Sequence, residues 1–553
     1  MIRLDLADIQ GNIHRAYGRF GFPHMRHLFF NIADAQGGRD FVDGARGWVT
    51  SAAPWAPAEG PAAPGLAKKP KIAVNIGFTY LGLRALCLPT RTLSRLPDEF
   101  TDGMARRANI LGDWGDSAPE HWDKAWHYNA HEPAGQVHVW ISLNSPGGPD
   151  GRPTPDLDAW TKVFMDLAAH CGGVTPLGGH GADGLAAWQD SSARMEAGPD
   201  GAMHPTAKEY FGFTDGISDP VFNGQFDKAE DSLQAVGGGK IAEGVFSERT
   251  SWSPLETGEF LLGHADEGQE FPVATHPAGF ARNGTFVAYR KLEENVAAFD
   301  ADMRRQADVW MKVTGETDPM IALETVQAKV CGRWTSGIPL MAAPTWADHL
   351  NVLKEWADAF AIMARRPKTL AERRRLNDLE KMLTGFRYGD DPDGKICPLG
   401  AHMRRANPRD MLDPKADKTH GASTLVNRRR ILRRGLPYQD ANGDKGVIFL
   451  AVCASLFRQF EFIQQQWMNY GLDFDAGNDG CPMIGNRPRP GPAAEADGSM
   501  AASKHVIPAG PANAVPVIAA DLPQFVTTKG GDYFFLPSLT ALRMIAMGTI
   551  DPT

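Results

Sequence analysis

Short segments with two-residue apolar alternation stand between segments of helical spacing along nearly all of the 553 residues. This alternation points to an α+β or α/β chain and away from a repeat array, since no fixed-period self-similarity accompanies it. In the first half, His27–Ile32, Ala73–Phe78 and Val137–Leu143 are expected strands, the last alternating a polar and an apolar face as VHVWISL. Asp156–His170 is an expected helix with Leu157, Trp160, Val163, Phe164 and Leu167 on one stripe. Strand, helix, strand, strand, helix suits a ferredoxin-like sandwich.

The length allows three or four domains at ~150 residues each, or fewer with long insertions. Hydrophobic residues at 43% and charged residues at 22% are globular values, so a large core can be buried. Ser51–Gly65 and Asn486–Val515 are rich in Ala, Pro and Gly and are expected loops. Trp346–Phe386 has helical spacing with interleaved charges and is an expected helical insertion. A break at Gly198–Pro205 divides the chain into expected domains 1–204 and 205–553.

The net charge of −9 disfavours a general nucleic-acid or anionic-membrane surface. Six cysteines form no CxxC pair, which argues against a zinc ribbon, a disulfide scaffold and covalent haem attachment through CxxCH. The longest apolar run, Val447–Phe457, is far short of the ~20 residues of a membrane span. The first residues, MIRLDLADIQGN, lack the features of a secretory signal. These features lead us to expect a soluble protein of a reducing, cytoplasmic compartment.

Three segments could carry chemistry. In YFGFTDGISDP, Asp215 sits on a turn between Gly212 and Gly216, where glycine lets a flat ligand approach closely. In ICPLGAHMRRANPRD, His402 stands among Arg404, Arg405 and Arg409; cationic neighbours lower a histidine pKa and favour the neutral, metal-binding imidazole. From His402 to Tyr438 ten Lys/Arg, among them Lys415 and Lys418, face three Asp. Apolar sequence encloses this basic stretch, so a compact anionic ligand such as a carboxylated cofactor fits better than nucleic acid. In the strand that follows, Val447, Phe449 and Ala451 share one face, which could pack a flat apolar ligand. His127 and His131 are four apart but lack the HExxH glutamate, and neither a GxSxG elbow nor a Walker loop is present.

Taken together, the segments resemble the dye-decolorizing peroxidases. The resemblance runs through Gly212-Phe213-Thr214-Asp215-Gly216, through GAHMRRANPRD (Gly400–Asp410) and through ILRRGLPY (Ile431–Tyr438). It extends in order over DIQGNIHRAYG, NIGFTYLGLRAL, FTDGMARRANILGD, GEFLLGH, GVIFLAVCASLFRQFEFIQQQWMN and GGDYFFLPS, nearly the whole chain. Length and insertion look like the longer, cytoplasmic bacterial branch. Gly435 follows the arginine pair where some branches place an amide side chain, and Cys481 sits where relatives often have Asp.

The resemblance implies an α+β fold of two ferredoxin-like domains of the dimeric α/β-barrel type, each a four-stranded antiparallel sheet with flanking helices. It implies one non-covalent haem b per chain, held mainly by the C-terminal domain, with His402 as iron ligand. Asp215 is then the acid–base group and Arg433 its cationic partner, reducing hydrogen peroxide to water. Val447 and Phe449 are candidates for the apolar distal wall, and Arg409 and, more weakly, Arg333 for propionate partners. A ligating histidine usually donates its other N–H to an acceptor, for which Glu461 is conceivable. The expected partners are hydrogen peroxide and bulky aromatic reductants such as dyes and phenolics, with no nucleic acid, no membrane and room for a homo-oligomer. A related haem reaction (oxygenation, decarboxylation or iron release) and a haem-binding stress protein are the competing readings. The distal acid–base pair disfavours a mere carrier.

Overall fold

The computed structural model describes the chain except for residues 1–3, 57–65, 128–134, 199, 227–234, 242–251, 273–274, 364–368, 415–420, 488–502, 549 and 551–553. His131, Lys415, Lys418 and parts of both Pro/Ala-rich stretches therefore lie outside the described residues.

Strand β1 (His24–Ile32) is buried along all nine residues. Helix α1 (Ala35–Arg46) follows, its start fixed by Asp34, whose carboxylate accepts from Gly37 N at 2.7 Å. Strands β2 (Ala73–Phe78) and β3 (Val139–Ser145), helix α2 (Asp156–Cys171) and the short strands β4 (Val174–Leu177) and β5 (Gln189–Ser192) complete the first half. β3 and β2 lie on one side of β1, while β4 and β5 pair with successive stretches of its other edge, all antiparallel. β1 starts three residues before the expected His27, and β3 lies two residues beyond the expected Val137–Leu143. Val137 and His138 instead anchor the approach to β3: the Val137 carbonyl accepts from Thr79 Oγ1 at 2.7 Å, and His138 N donates to Phe30 O at 2.9 Å.

The second half repeats the plan with longer connections. β6 (Thr285–Glu294) is followed by helices α3 (Val296–Thr314) and α4 (Pro319–Cys331). The expected insertion forms two helices, α5 (Trp346–Met363) and α6 (Leu370–Thr384), the latter opened by a Thr369–Glu372 capping box. Then come β7 (Leu432–Arg433), β8 (Leu436–Gln439), β9 (Lys445–Cys453), a helix over 456–468 wound largely as π-helix, β10 (Val526–Leu536) and α7 (Leu539–Met547). The sheet order is β7–β9–β6–β10–β2–β3–β1–β4, so the two antiparallel halves join edge to edge where Phe535 faces Phe78. His505–Ile507, inside the second Pro/Ala-rich stretch, pairs with Val517–Ala519 just beyond it, a ribbon that composition did not signal.

Both halves are α+β with antiparallel strands and flanking helices. Their strands fall on either side of residue 205, yet α7 packs back against α1. Asp8 ties it there, accepting from Leu539 N at 2.9 Å and Thr540 N at 2.8 Å. No helix among the described residues is long and apolar enough to cross a membrane.

Candidate functional site

Strand β9 buries Ile448 and Leu450 on one face and leaves Val447 and Phe449 half-buried on the other. Two cavities open there. The inner one, about 990 Å³, brings together His402, Arg333, Arg409, Arg430 and Arg433 with apolar Ile217, Phe449, Phe460 and Ile463. The outer one, about 1200 Å³, is lined by Asp215, Gly216, Glu209, Arg433, Val447 and Phe449. They meet at Arg433 and Phe449. Val447 lines the outer cavity on the side of Asp215, and Phe449 lines both.

Asp215 stands on a turn whose flanking glycines have positive φ, +93° at Gly212 and +76° at Gly216. Its backbone N–H donates to Ala207 O at 2.7 Å. Its Oδ1 accepts from Gly216 N at 2.6 Å and from Arg433 Nη1, which β7 presents opposite Ala451 of β9. Burial would raise the Asp215 carboxyl, but the Arg433 guanidinium and the Gly216 N–H outweigh it and hold it below the usual carboxylate range. The same ion pair holds the Arg433 guanidinium above its ordinary pKa. Beside them Glu209 accepts from Phe211 N at 2.6 Å and Phe213 N at 2.7 Å, and burial pushes it up to about 7. Sequence reasoning missed Glu209, although it stands only six residues before Asp215.

His402 opens a short helix, His402–Ala406, and its Nδ1 lies 3.2 Å from Sγ of buried Cys481. That contact leaves Nε2 for a ligand. The expectation that neighbouring arginines depress this histidine is corrected. Arg404 turns to Asp391 and the Cys397 carbonyl, and Arg405 to the carbonyls of Gly400, Trp467 and Asp479. Burial depresses His402, but the Cys481 sulfur more than offsets it, so its basicity is raised. Burial likewise pushes the Cys481 thiol up, but His402, Arg405 and the Ile484 N–H reverse this and bring it down to about 7. Glu461 is engaged elsewhere, bonded by Arg107 at 2.6 and 2.7 Å and by Tyr533 at 2.8 Å.

The basic stretch is mostly an internal staple. Arg428 pairs with Asp266, Arg429 donates to Arg458 O, and Arg434 donates to Asp219 and to the Asn12 and Ile13 carbonyls. Among the described residues of the stretch, only Arg409, Arg430 and Arg433 of its cations besides His402 line the inner cavity, where Arg333 joins them from after α4. Arg409, at φ +55°, donates to the Thr384 and Phe386 carbonyls at 2.7 and 2.6 Å and lies 3.8 Å over the Phe386 ring. Arg333 donates to Gly337 O at 2.8 Å, and its buried Nε has no partner among the described residues. Among the described residues none of Arg333, Arg409 and Arg430 bonds a carboxylate, and burial lowers all three, Arg409 to about 9 and Arg430 to about 10. Several buried cations that bond no described carboxylate, beside apolar walls and a histidine whose Nε2 is not engaged by the described residues, fit a flat, apolar, dianionic, metal-bearing group. Haem is such a group.

Gly435 also finds its reason: a Cβ there would meet the Ile448 carbonyl at 1.8 Å, so β9 excludes any side chain from this position. His127 bonds the Trp122 carbonyl at 2.9 Å. Among the described residues no group of three or more His, Cys, Asp or Glu side chains is placed to hold a metal ion.

No family model matches the chain. Peroxidase 2 of Mycetinis scorodonius is 27% identical, the match covering 98% of this chain and 88% of the relative. A dye-decolorizing peroxidase of Mycena epipterygia is 29% identical over 86% of this chain and 77% of its own. Over most of its length the chain is thus similar to dye-decolorizing peroxidases. A solved dye-decolorizing peroxidase in complex with 2,6-dimethoxyphenol has the same fold, with a TM-score of 0.64 at 23% identity over 98% of this chain and 100% of that one. These relatives do not place the chain in the bacterial branch of the family.

Proposed function

We propose that the chain is a haem peroxidase that reduces hydrogen peroxide and oxidises aromatic reductants, with one non-covalent haem b per chain. The observation that carries this reading is the Asp215–Arg433 pair, set where the outer cavity meets the cavity that holds His402. The relative solved with a phenol supports the substrate class.

In this reading His402 would hold the iron through Nε2, Arg333 and Arg409 would bind the carboxylates of the cofactor, and Phe449 would supply part of its apolar wall. Bound haem supplies the redox centre that receives the oxidising equivalents of peroxide and passes them to the reductant. Asp215, kept ionised by Arg433, takes a proton from hydrogen peroxide and returns it to the departing oxygen, so that water leaves. Arg433 stays charged and steadies negative charge on the peroxide oxygens. Phe449 and the other apolar walls exclude water, which strengthens both interactions. A reducing compartment is also proposed, on the strength of six unpaired cysteines.

The test is a ferric Soret band in the purified protein, with oxidation of 2,6-dimethoxyphenol that depends on hydrogen peroxide. His402→Ala should lose or strongly shift the band. An unchanged spectrum would remove His402 as the ligand.

A further inference from the structure

We propose that Cys481 is the positioning residue of the proximal side: its sulfur accepts a hydrogen bond from Nδ1–H of His402, fixing the tautomer and ring orientation that present Nε2 to iron. The inference rests on His402 being the iron ligand. A ligating histidine needs an acceptor on its second nitrogen, and a carboxylate or carbonyl is the usual one. Here the carboxylate suggested by sequence, Glu461, is engaged by Arg107 and Tyr533. The atom that meets Nδ1 is Cys481 Sγ, at 3.2 Å.

The backbone of Cys481 is fixed at both its N–H and its carbonyl. Cys481 is fully buried. Its N–H donates to Met468 O at 2.6 Å, and its carbonyl accepts from Gly485 N at 3.0 Å and Arg487 Nη2 at 3.0 Å. The Ile484 N–H bonds the sulfur itself. Met468 and Ile484 also line the inner cavity, so the frame that fixes Cys481 is continuous with the cofactor wall. Such rigidity transmits a defined orientation to the imidazole, and the acceptor on Nδ1 sets how strongly the opposite nitrogen donates to the metal. The 79 residues separating the pair explain why spacing could not reveal it.

The experiment uses the haem-loaded protein and reads the Fe(III)/Fe(II) reduction potential and the Fe–His stretching frequency of the ferrous form. Cys481→Ala should keep the Soret band, raise the potential and lower the frequency, because an imidazole without an acceptor is the weaker donor. Cys481→Asp should reverse both shifts, and it keeps the test open if the alanine variant folds poorly. Unchanged potential and frequency in Cys481→Ala would overturn the proposal. A Soret band that survives unshifted in His402→Ala would instead locate the failure in the ligand assignment.

Discussion

Strands β1 and β9 each run nine residues at the heart of one half of the sheet, yet they meet their surroundings differently. β1 is buried at every position, with Phe29 and Phe30 packed against rings on both faces, Trp126 at 4.9 Å and Phe41 at 5.0 Å between centroids. β9 is buried at every second position over its first half, and the open positions look into the two cavities. Arginine use differs in the same way. Arg26 of β1 is buried and bonded by Asp190 and Asp158, whereas Arg333, Arg409 and Arg430 are buried against carbonyls and rings. One plan of strands and helices thus gives a finished core where its sheet face is filled. Where the face is left open and its cations unpaired, it gives a site.

The largest effect is expected at the junction of the cavities. Asp215→Asn should keep fold and haem while slowing peroxide reduction by roughly 10²–10⁴-fold, the usual worth of a positioned acid–base group; rapid mixing with peroxide measures it. A wild-type rate would move the proton-transfer role away from Asp215. The pH dependence gives a second reading of the same pair. The folded carboxyl lies below its unfolded value, so the stabilisation from ionised Asp215 is present above the unfolded pKa and lost as pH falls through the lower folded one. Arg433→Leu leaves burial unopposed by the guanidinium, and the acid limb of the kcat/KM profile should move to higher pH. A limb that stays put would show that Arg433 does not hold the carboxylate.

Phenylalanines on the two strands should separate stability from binding. Phe30→Ala, at a fully buried position, should cost about 3–5 kcal/mol in chemical denaturation and leave the Soret position alone. Phe449→Ala, on the open face, should cost less stability and weaken haem retention instead. Equal losses of stability would mean that β9 is packed like β1.

The sheet was legible because its signals are local. Alternation in VHVWISL and the stripe of Asp156–His170 depend on neighbours a few residues apart, and they found β3 and α2 to within two residues. The chemical side chains were legible through motifs, but their company was not. His402 and Cys481, Asp215 and Arg433, and Arg333 and Arg409 meet across long loops, and no period records such meetings. Clustering of charge misled for the same reason: in the described part of the basic stretch, most arginines bond carbonyls or carboxylates of distant segments and only three reach the cavity.

Cationic residues offer the next test. Arg409→Leu removes a donor that bonds no carboxylate among the described residues, so the haem-free chain should lose little stability, while haem should be held less tightly by about 1.5–3 kcal/mol, the worth of a hydrogen bond to a charged group. Haem transfer to an acceptor protein measures this. If retention is unchanged and the haem-free chain is destabilised, Arg409 serves the Thr384 and Phe386 carbonyls rather than the cofactor.

The smallest effect belongs to the satisfied arginine of the first half. Asp190 binds Arg26 through two oxygens at 2.7 and 2.9 Å, but its own side chain is 53% exposed, and Asp158 supplies a second partner at 2.8 Å. Water therefore screens the pair on one side, and the guanidinium keeps a counter-ion when one carboxylate is neutralised. Asp190→Asn should cost about 1 kcal/mol or less in chemical denaturation and leave haem and peroxide turnover untouched. The contrast with Arg409→Leu is then one of function and not of charge count. A loss of several kcal/mol in Asp190→Asn would show that even the first half relies on a buried cation without slack, and the distinction drawn between the two arginine settings would fail.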